Sequence, residues 1–228
     1  MEKLILGLVI FLGAHSVSIV APRWRDSMVA RLGEKPWKGL YAIISLIGFV
    51  LLVQGYAAAR LEPVVLYTPP AWTRHLAALL LLPVFVLLLA SGLPGRIKSA
   101  TKHPMLAGTK LWALAHLLAN GMLADVLLFG SILAWAVADR ISLGRRPARN
   151  IPSAPPGRFN DLIAVVGGIA LYGVFAVYLH ARWIGVAPFG GADAGCVSAE
   201  TRGRQGASAL HAYRLTGASS APSFTCSS

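Results

Sequence analysis

Three histidines stand where an imidazole could do chemistry: His15, His103 and His116. His15 and His116 lie inside long apolar stretches, and His103 stands directly before Pro104 at the start of the stretch that contains His116. An imidazole held away from water can ligate a metal ion or a haem iron, carry a proton, or hydrogen-bond between helices. The residue types alone leave all three roles open.

The spacing around His116 is the most informative pattern. Trp112, His116 and Asn120 recur at every fourth position and therefore predict one stripe on a helix. Ala115 and Ala119 form a pair of small residues that lets another helix approach closely. This stretch is expected to place an imidazole against a neighbouring helix.

Two histidines on different helices could hold a haem iron from opposite faces if they lie at similar depth. At about 1.5 Å per residue, His15 lies about 9 Å from the end of its helix that adjoins a basic loop. By the same rise, His116 lies about 20 Å from the corresponding end of its own helix. His103 lies near that end. The pairing of His15 with His103 and the pairing with His116 both stay open.

The composition decides the class of chain that must position these residues. Hydrophobic residues make up 56% of the 228 residues and charged residues only 13%. A soluble domain has about 45–50% apolar and about 25% charged residues. The composition therefore argues against an ordinary soluble globule and excludes a disordered chain. Walker A, GxGxxG, His-Glu-x-x-His and GxSxG motifs are absent from the sequence, so nucleotide and hydrolase chemistry lack their usual supports.

We predict an all-α, polytopic transmembrane bundle of about six helices. Apolar stretches of sufficient length predict four spans directly. A fifth and a sixth come from a hairpin that turns at Asn120-Gly121, because one helix over residues 103–140 would be about 57 Å long. The predicted spans are Leu4–Ala21, Gly39–Ala59, His75–Gly95, His103–Asn120, Met122–Ala138 and Leu162–Ala181.

The distribution of basic residues favours six spans over five. With six, the loops 22–38, 96–102 and 139–160 share one side and carry thirteen Lys and Arg residues, against two on the other side. With five, the tally is eight against seven. Since basic loops face the cytoplasm, six spans place these loops there and both termini on the periplasmic side. The net charge of +12 thus fits anionic lipid, and no nucleic-acid partner is expected.

Residues 1–190 form the predicted transmembrane domain, and the polar segment 191–228 forms a Gly-, Ala- and Ser-rich tail that is expected to be disordered. Cys196 and Cys226 both lie in this tail. A disulfide between them and two incidental cysteines are alternative interpretations.

Several strings in residues 1–190 resemble the NnrU family. They are Gly13-Ala14-His15-Ser16, Lys102-His103-Pro104, Trp112-Ala113-Leu114-Ala115-His116-Leu117-Leu118-Ala119-Asn120-Gly121, and the stretch from Leu179 to Phe189. Lys102 is a departure, because the family commonly has Arg before His-Pro. The tail has no counterpart in the resemblance.

The resemblance implies a bacterial inner-membrane protein linked to nitric-oxide and nitrite metabolism in denitrifiers. The family is also similar to the zeta-carotene isomerase of plants and cyanobacteria, a haem b enzyme with histidine ligation. The resemblance therefore implies His15, His103 and His116 as candidate haem iron ligands. It leaves three alternatives: a haem b redox or nitric-oxide-responsive protein, an isomerase of an apolar polyene, and a non-enzymatic accessory protein that assembles a denitrification enzyme.

Overall fold

The computed structural model describes residues 1–146 and 153–188, and these residues are mainly α-helical. The chain divides into two units, 1–175 and 176–228. The first unit contains α1 (Glu2–Val20), α2 (Pro22–Leu32), α3 (Glu34–Ala59), α4 (Trp72–Gly92), α5 (Arg96–Thr101), α6 (Pro104–Ala119), α7 (Leu123–Leu143) and α8 (Asn160–Val174). A π-helical turn, Phe175–Leu179, begins at the last residue of the first unit, and α9 (His180–Ile184) lies in the second.

The predicted all-α class and the predicted hairpin are both confirmed. The helix α6 ends at Ala119 and α7 begins at Leu123, so the chain turns at Asn120-Gly121. Five helical segments of the described residues are long and apolar enough to cross a membrane: Glu2–Val20, Glu34–Ala59, Trp72–Gly92, Leu123–Leu143 and Asn160–Ile184. The predicted span that is not among these five is His103–Asn120, which corresponds to α6 and has 16 residues. At about 24 Å it is shorter than the ~30 Å hydrocarbon core.

The basic segment 22–38, predicted as a loop, is largely helical. Pro22 begins α2, where its missing N–H has no helical partner to lose. Gly33 ends α2 with a φ of 88°, a conformation that other residues rarely adopt. The predicted tail 191–228, with Cys196 and Cys226, lies outside the described residues.

The helices of the first unit pack in a row of neighbours. The helix α1 packs against α3 and α7, α6 packs against α7 and α4, and α8 packs against α4. One buried apolar cluster joins α1, α3, α6 and α7, with Leu4, Leu8, Leu52, Ala59, Ala113, Ala124, Leu128 and Phe129 as its members. Ala115, from the predicted small pair, is completely buried, as expected for a residue at a close helix contact.

Glycines set the distance between α1 and α3. A Cβ atom added to Gly48 would lie 2.7 Å from the backbone nitrogen of Phe11. One added to Gly55 would overlap the backbone of Leu4. The two backbones therefore touch, which is how membrane helices associate without a hydrophobic driving force.

A loop segment holds the turn between α6 and α7. Val65 and Met122 form an isolated antiparallel β-bridge. The Leu66 N–H donates to the Gly121 carbonyl at 2.8 Å, and the Leu123 N–H donates to the Val64 carbonyl at 2.8 Å. The connection between α3 and α4 thus supplies partners for backbone groups that the helix ends leave open.

Replacing Gly48 with Ala is expected to destabilise the protein by about 1–3 kcal/mol, because the new methyl group must push α1 away from α3. Gly39→Ala, in the same helix but with no atom within 4 Å of the added Cβ, is the matched control. It is expected to be neutral or slightly stabilising. Thermal unfolding in detergent, followed by circular dichroism, measures both; equal melting temperatures would contradict the packing described.

Candidate functional site

His15 lies in the second half of α1, inside a group of aromatic side chains. Its ring centroid is 4.3 Å from that of Phe11, 5.3 Å from Tyr41 on α3, and 5.7 Å from Trp135 on α7. Trp135 meets the imidazole edge to face, with an interplanar angle of 89°. Three helices therefore contribute to the surroundings of this imidazole.

The hydrogen bonding of His15 defines which ring nitrogen is available. Nδ1 lies 2.7 Å from the carbonyl oxygen of Phe11, one turn earlier in the same helix. Since a carbonyl only accepts, Nδ1 carries the proton and donates it. In the neutral ring Nε2 then bears the lone pair, and no described residue forms a hydrogen bond to it. This is the tautomer that histidine ligands of metals use, with the other nitrogen donating to a carbonyl.

The indole nitrogen of Trp135 is a buried donor with no acceptor among the described residues. Buried N–H groups are almost always satisfied, so an unsatisfied one calls for an explanation such as a ligand or a bound water. The Trp135 ring packs against His15, so this donor belongs to a side chain that contacts the imidazole. The neighbourhood of His15 therefore has an unused ligand nitrogen and an unused hydrogen-bond donor.

His116, on α6, makes the same kind of backbone hydrogen bond as His15. Its Nδ1 lies 2.8 Å from the carbonyl oxygen of Trp112, and its ring stacks on Phe129 of α7 at 4.6 Å. The Asn120 amide donates to the His116 carbonyl at 2.9 Å. The predicted stripe of Trp112, His116 and Asn120 is therefore a ladder of contacts one turn apart.

His103 differs from the other two histidines. It precedes α6, and its surroundings are charged: Asp139, Arg140 and Arg146 act on it, together with Lys102. Burial, followed by the positive charge of Arg140, lowers the pKa of His103 below its ordinary value. The ring is thereby favoured in its neutral form, which is the form that binds metals.

The contacts on α7 place the three histidines at different levels. His116 meets Phe129, and His15 meets Trp135, six residues or about 9 Å further along the axis. His103 is influenced by Asp139 and Arg140, about another turn beyond. His15 therefore lies between the other two, and all three face the same helix without converging on one point.

The described residues contain no cluster of three or more His, Cys, Asp or Glu side chains that could hold a metal ion. The donor set therefore consists of separate imidazoles.

Sequence reasoning left Asp125 unassigned, although the structure gives it a defined role. Its carboxyl group is completely buried. Tyr56 donates its hydroxyl proton to Oδ1 at 2.6 Å, and the Met122 backbone N–H donates to Oδ2 at 3.0 Å. Asp125 thus caps the first turn of α7 and ties it to α3. Its position three residues after Met122 is the local signal for a cap, whereas Tyr56 lies 69 residues away.

A second polar tie lies near His15. The Arg146 guanidinium donates to the Ser18 carbonyl at 2.7 Å and forms an ion pair with Asp139. Both side chains of the pair are mostly buried. The end of α7 is therefore fixed to the last turn of α1, three residues beyond His15.

The fold and the site define a class: a polytopic helical membrane protein with half-buried imidazoles facing a shared helix. The NnrU protein family model matches residues 3–188, and the chain belongs to the NnrU family. No curated protein and no solved structure matches the chain at a significant level.

Replacing Tyr56 with Phe is expected to destabilise the protein by about 1–3 kcal/mol, because it removes a hydrogen bond from a buried carboxyl group. Tyr178→Phe is the control, since the Tyr178 side chain is exposed. The measurement is the thermal unfolding of both purified variants in the same detergent. If Tyr56→Phe melted no earlier than the control, Asp125 would not depend on this partner.

Proposed function

We propose that this NnrU-family chain is an inner-membrane haem b protein of nitric-oxide and nitrite metabolism, with His15 or His116 as the iron ligand. The two rings contact α7 at levels about 9 Å apart, so they do not hold one iron from opposite faces. The observation that carries the proposal is their shared hydrogen bonding. Each ring donates from Nδ1 to the carbonyl one turn earlier, at 2.7 Å for His15 and 2.8 Å for His116. That bond fixes the ring tautomer, and in His15 it leaves Nε2 as the ligand nitrogen.

The surroundings of His15 support the same role. A bound haem supplies an iron that changes oxidation state and can take a small diatomic ligand. The chain's own residues would do three things there. His15 would hold the iron, Phe11 and Tyr41 would shield the imidazole from water, and the Trp135 N–H would offer a hydrogen bond.

His103 is the third candidate iron ligand. Its neutral ring suits ligation, and Arg146 links the neighbouring turn of α7 to α1 close to His15. His15 and His116 each donate to a carbonyl one turn earlier in their own helices, and His103 makes no such hydrogen bond. His103 is therefore a weaker candidate ligand than the other two.

A non-enzymatic accessory protein for a denitrification enzyme is the second candidate function. The His116 ring stacks on Phe129 at 4.6 Å with an interplanar angle of 26°. This contact supports the second candidate, because a histidine that only holds two helices together would pack in the same way. In that case the histidines would hold helices together, and changing them would alter stability rather than a cofactor.

Haem binding is tested by absorption spectroscopy of protein purified in detergent after expression with ample haem. We expect a Soret band and, on reduction, an α band. His15→Ala or His116→Ala, whichever removes the ligand nitrogen, should shift or abolish these bands. His75→Ala, at an exposed position, is the control and should leave the spectrum unchanged.

Two outcomes and one further experiment separate the alternatives. A haem spectrum that only His103→Ala alters would move the ligand to His103. No haem bands in the unaltered protein would end the haem proposal and favour the accessory role. The isomerase alternative uses the same haem, so it is tested next, by incubating the haem form with an apolar polyene and analysing the product isomers.

We also propose that the segments 22–38 and 139–160 face the cytoplasm and that both termini are periplasmic. The excess of basic residues in these segments supports this orientation. In a variant whose two tail cysteines are replaced by Ser, Ser27→Cys and Ser142→Cys should both resist a membrane-impermeant thiol reagent in intact cells. Thr68→Cys should react. Labelling of only one of the first two would contradict six crossings.

A further inference from the structure

A small cavity lies between the end of α1, α2 and the start of α3, and its lining is basic and aromatic. Its volume is about 250 Å³. The polar and aromatic residues of its wall are His15, Ser18, Arg25, Trp37, Lys38 and Tyr41. This volume is below the usual range of pockets for drug-sized ligands, roughly 300–1,000 Å³, and suits a compact polar group.

The charge of the lining favours an anion. Among the described residues, Arg25 and Lys38 are the cations of the lining, and none of the lining residues is acidic. Arg25 pairs with Asp26 at 2.9 Å, and Lys38 pairs with Glu34 at 2.6 Å. Both acids are largely exposed, at 58% and 70%, so these ion pairs are weak and an anion inside the cavity can compete with them.

The wider segment has the same sign. Residues 22–38 contain five basic residues against two acidic ones. A phosphate oxygen accepts strong, charge-assisted hydrogen bonds from a guanidinium fork and from an ammonium group. Arg25 and Lys38 provide one of each across a single cavity.

The position of the cavity identifies the source of the anion. Trp24 and Trp37 pack edge to face at 5.8 Å, and Trp residues of membrane proteins concentrate at the level of the lipid headgroups. The helix α2 has 11 residues and buries none of them, which fits a helix lying in the interface rather than crossing it.

Apolar surface continues from the cavity toward the centre of the membrane. Beyond Tyr41, the side chains of Ile43, Leu46 and Ile47 on α3 are 51–62% exposed. A free phosphate ion has no use for such a surface, whereas the acyl chains of a lipid can lie along it. The cavity and this surface together match a molecule with an anionic head and apolar tails.

We propose that this cavity is a binding site for the headgroup phosphate of an anionic phospholipid, held by Arg25 and Lys38. The proposal depends on the two cations and not on the His15 nitrogen, so it is tested separately from haem ligation although His15 lines the same cavity. It fixes one lipid to the junction of α1, α2 and α3 and so joins the interfacial helix to the bundle.

The test measures phospholipid retention by native mass spectrometry of the full chain extracted from nanodiscs of phosphatidylcholine doped with phosphatidylglycerol. We expect one tightly retained phosphatidylglycerol. The double variant Arg25→Gln with Lys38→Gln should bind it about tenfold or more weakly than the control Arg31→Gln with Lys35→Gln. The control removes the same charge from the same segment but from outside the cavity wall.

Equal weakening in both double variants would overturn the proposal, because it would show general attraction to the basic segment instead of a site. A second measurement uses only the unaltered protein, in case the variants fail to fold. Short-chain phosphatidylglycerol should raise its melting temperature in detergent, and phosphatidylcholine should not. Displacement of the lipid by inorganic phosphate at equal concentration would also overturn it, since a free anion would then suffice.

Discussion

A hydrogen-bonding group carried into hydrocarbon must find its partner on its own helix or on the helix next to it, because water is not there to replace one. His15 and His116 meet this requirement on their own helices, through the carbonyl one turn earlier. Asp125 meets it with Tyr56 of α3 and the backbone of its own first turn. The position of each polar group in the bundle follows from this constraint.

Two buried side-chain groups of the described residues, the Ser45 hydroxyl and the Trp135 indole N–H, do not meet it. The Trp135 ring packs against the imidazole of His15. Elsewhere in the bundle, packing is close enough for backbones to touch, as at Gly48 and Gly55. A polar atom left without a partner in so close-packed a bundle is therefore a stronger pointer to a ligand than the same atom in a loose surface would be.

Features that depend on near neighbours in the sequence could be predicted. The turn at Asn120-Gly121 follows from its dipeptide, and the stripe of Trp112, His116 and Asn120 follows from helical spacing. The helix α2 lies in a segment that was predicted as a loop from its many charged residues. Its local signals are Pro22 at its first position and Gly33 at its end.

Features that depend on distant parts of the chain could not be predicted in the same way. Tyr56 reaches Asp125 across 69 residues, and neither residue carries a local sign of the other. The separate levels of His15 and His116, by contrast, agree with residue counting, which put them about 9 Å and about 20 Å from the basic ends of their helices.

The bridge between Val65 and Met122 has a consequence for the order of assembly in the cell. Residues 64–67 are synthesised long before residues 120–123, yet each segment satisfies the other's backbone. Residues 64–67 therefore gain these backbone partners only after the turn at Asn120-Gly121 has been synthesised, and until then water must satisfy their backbone groups.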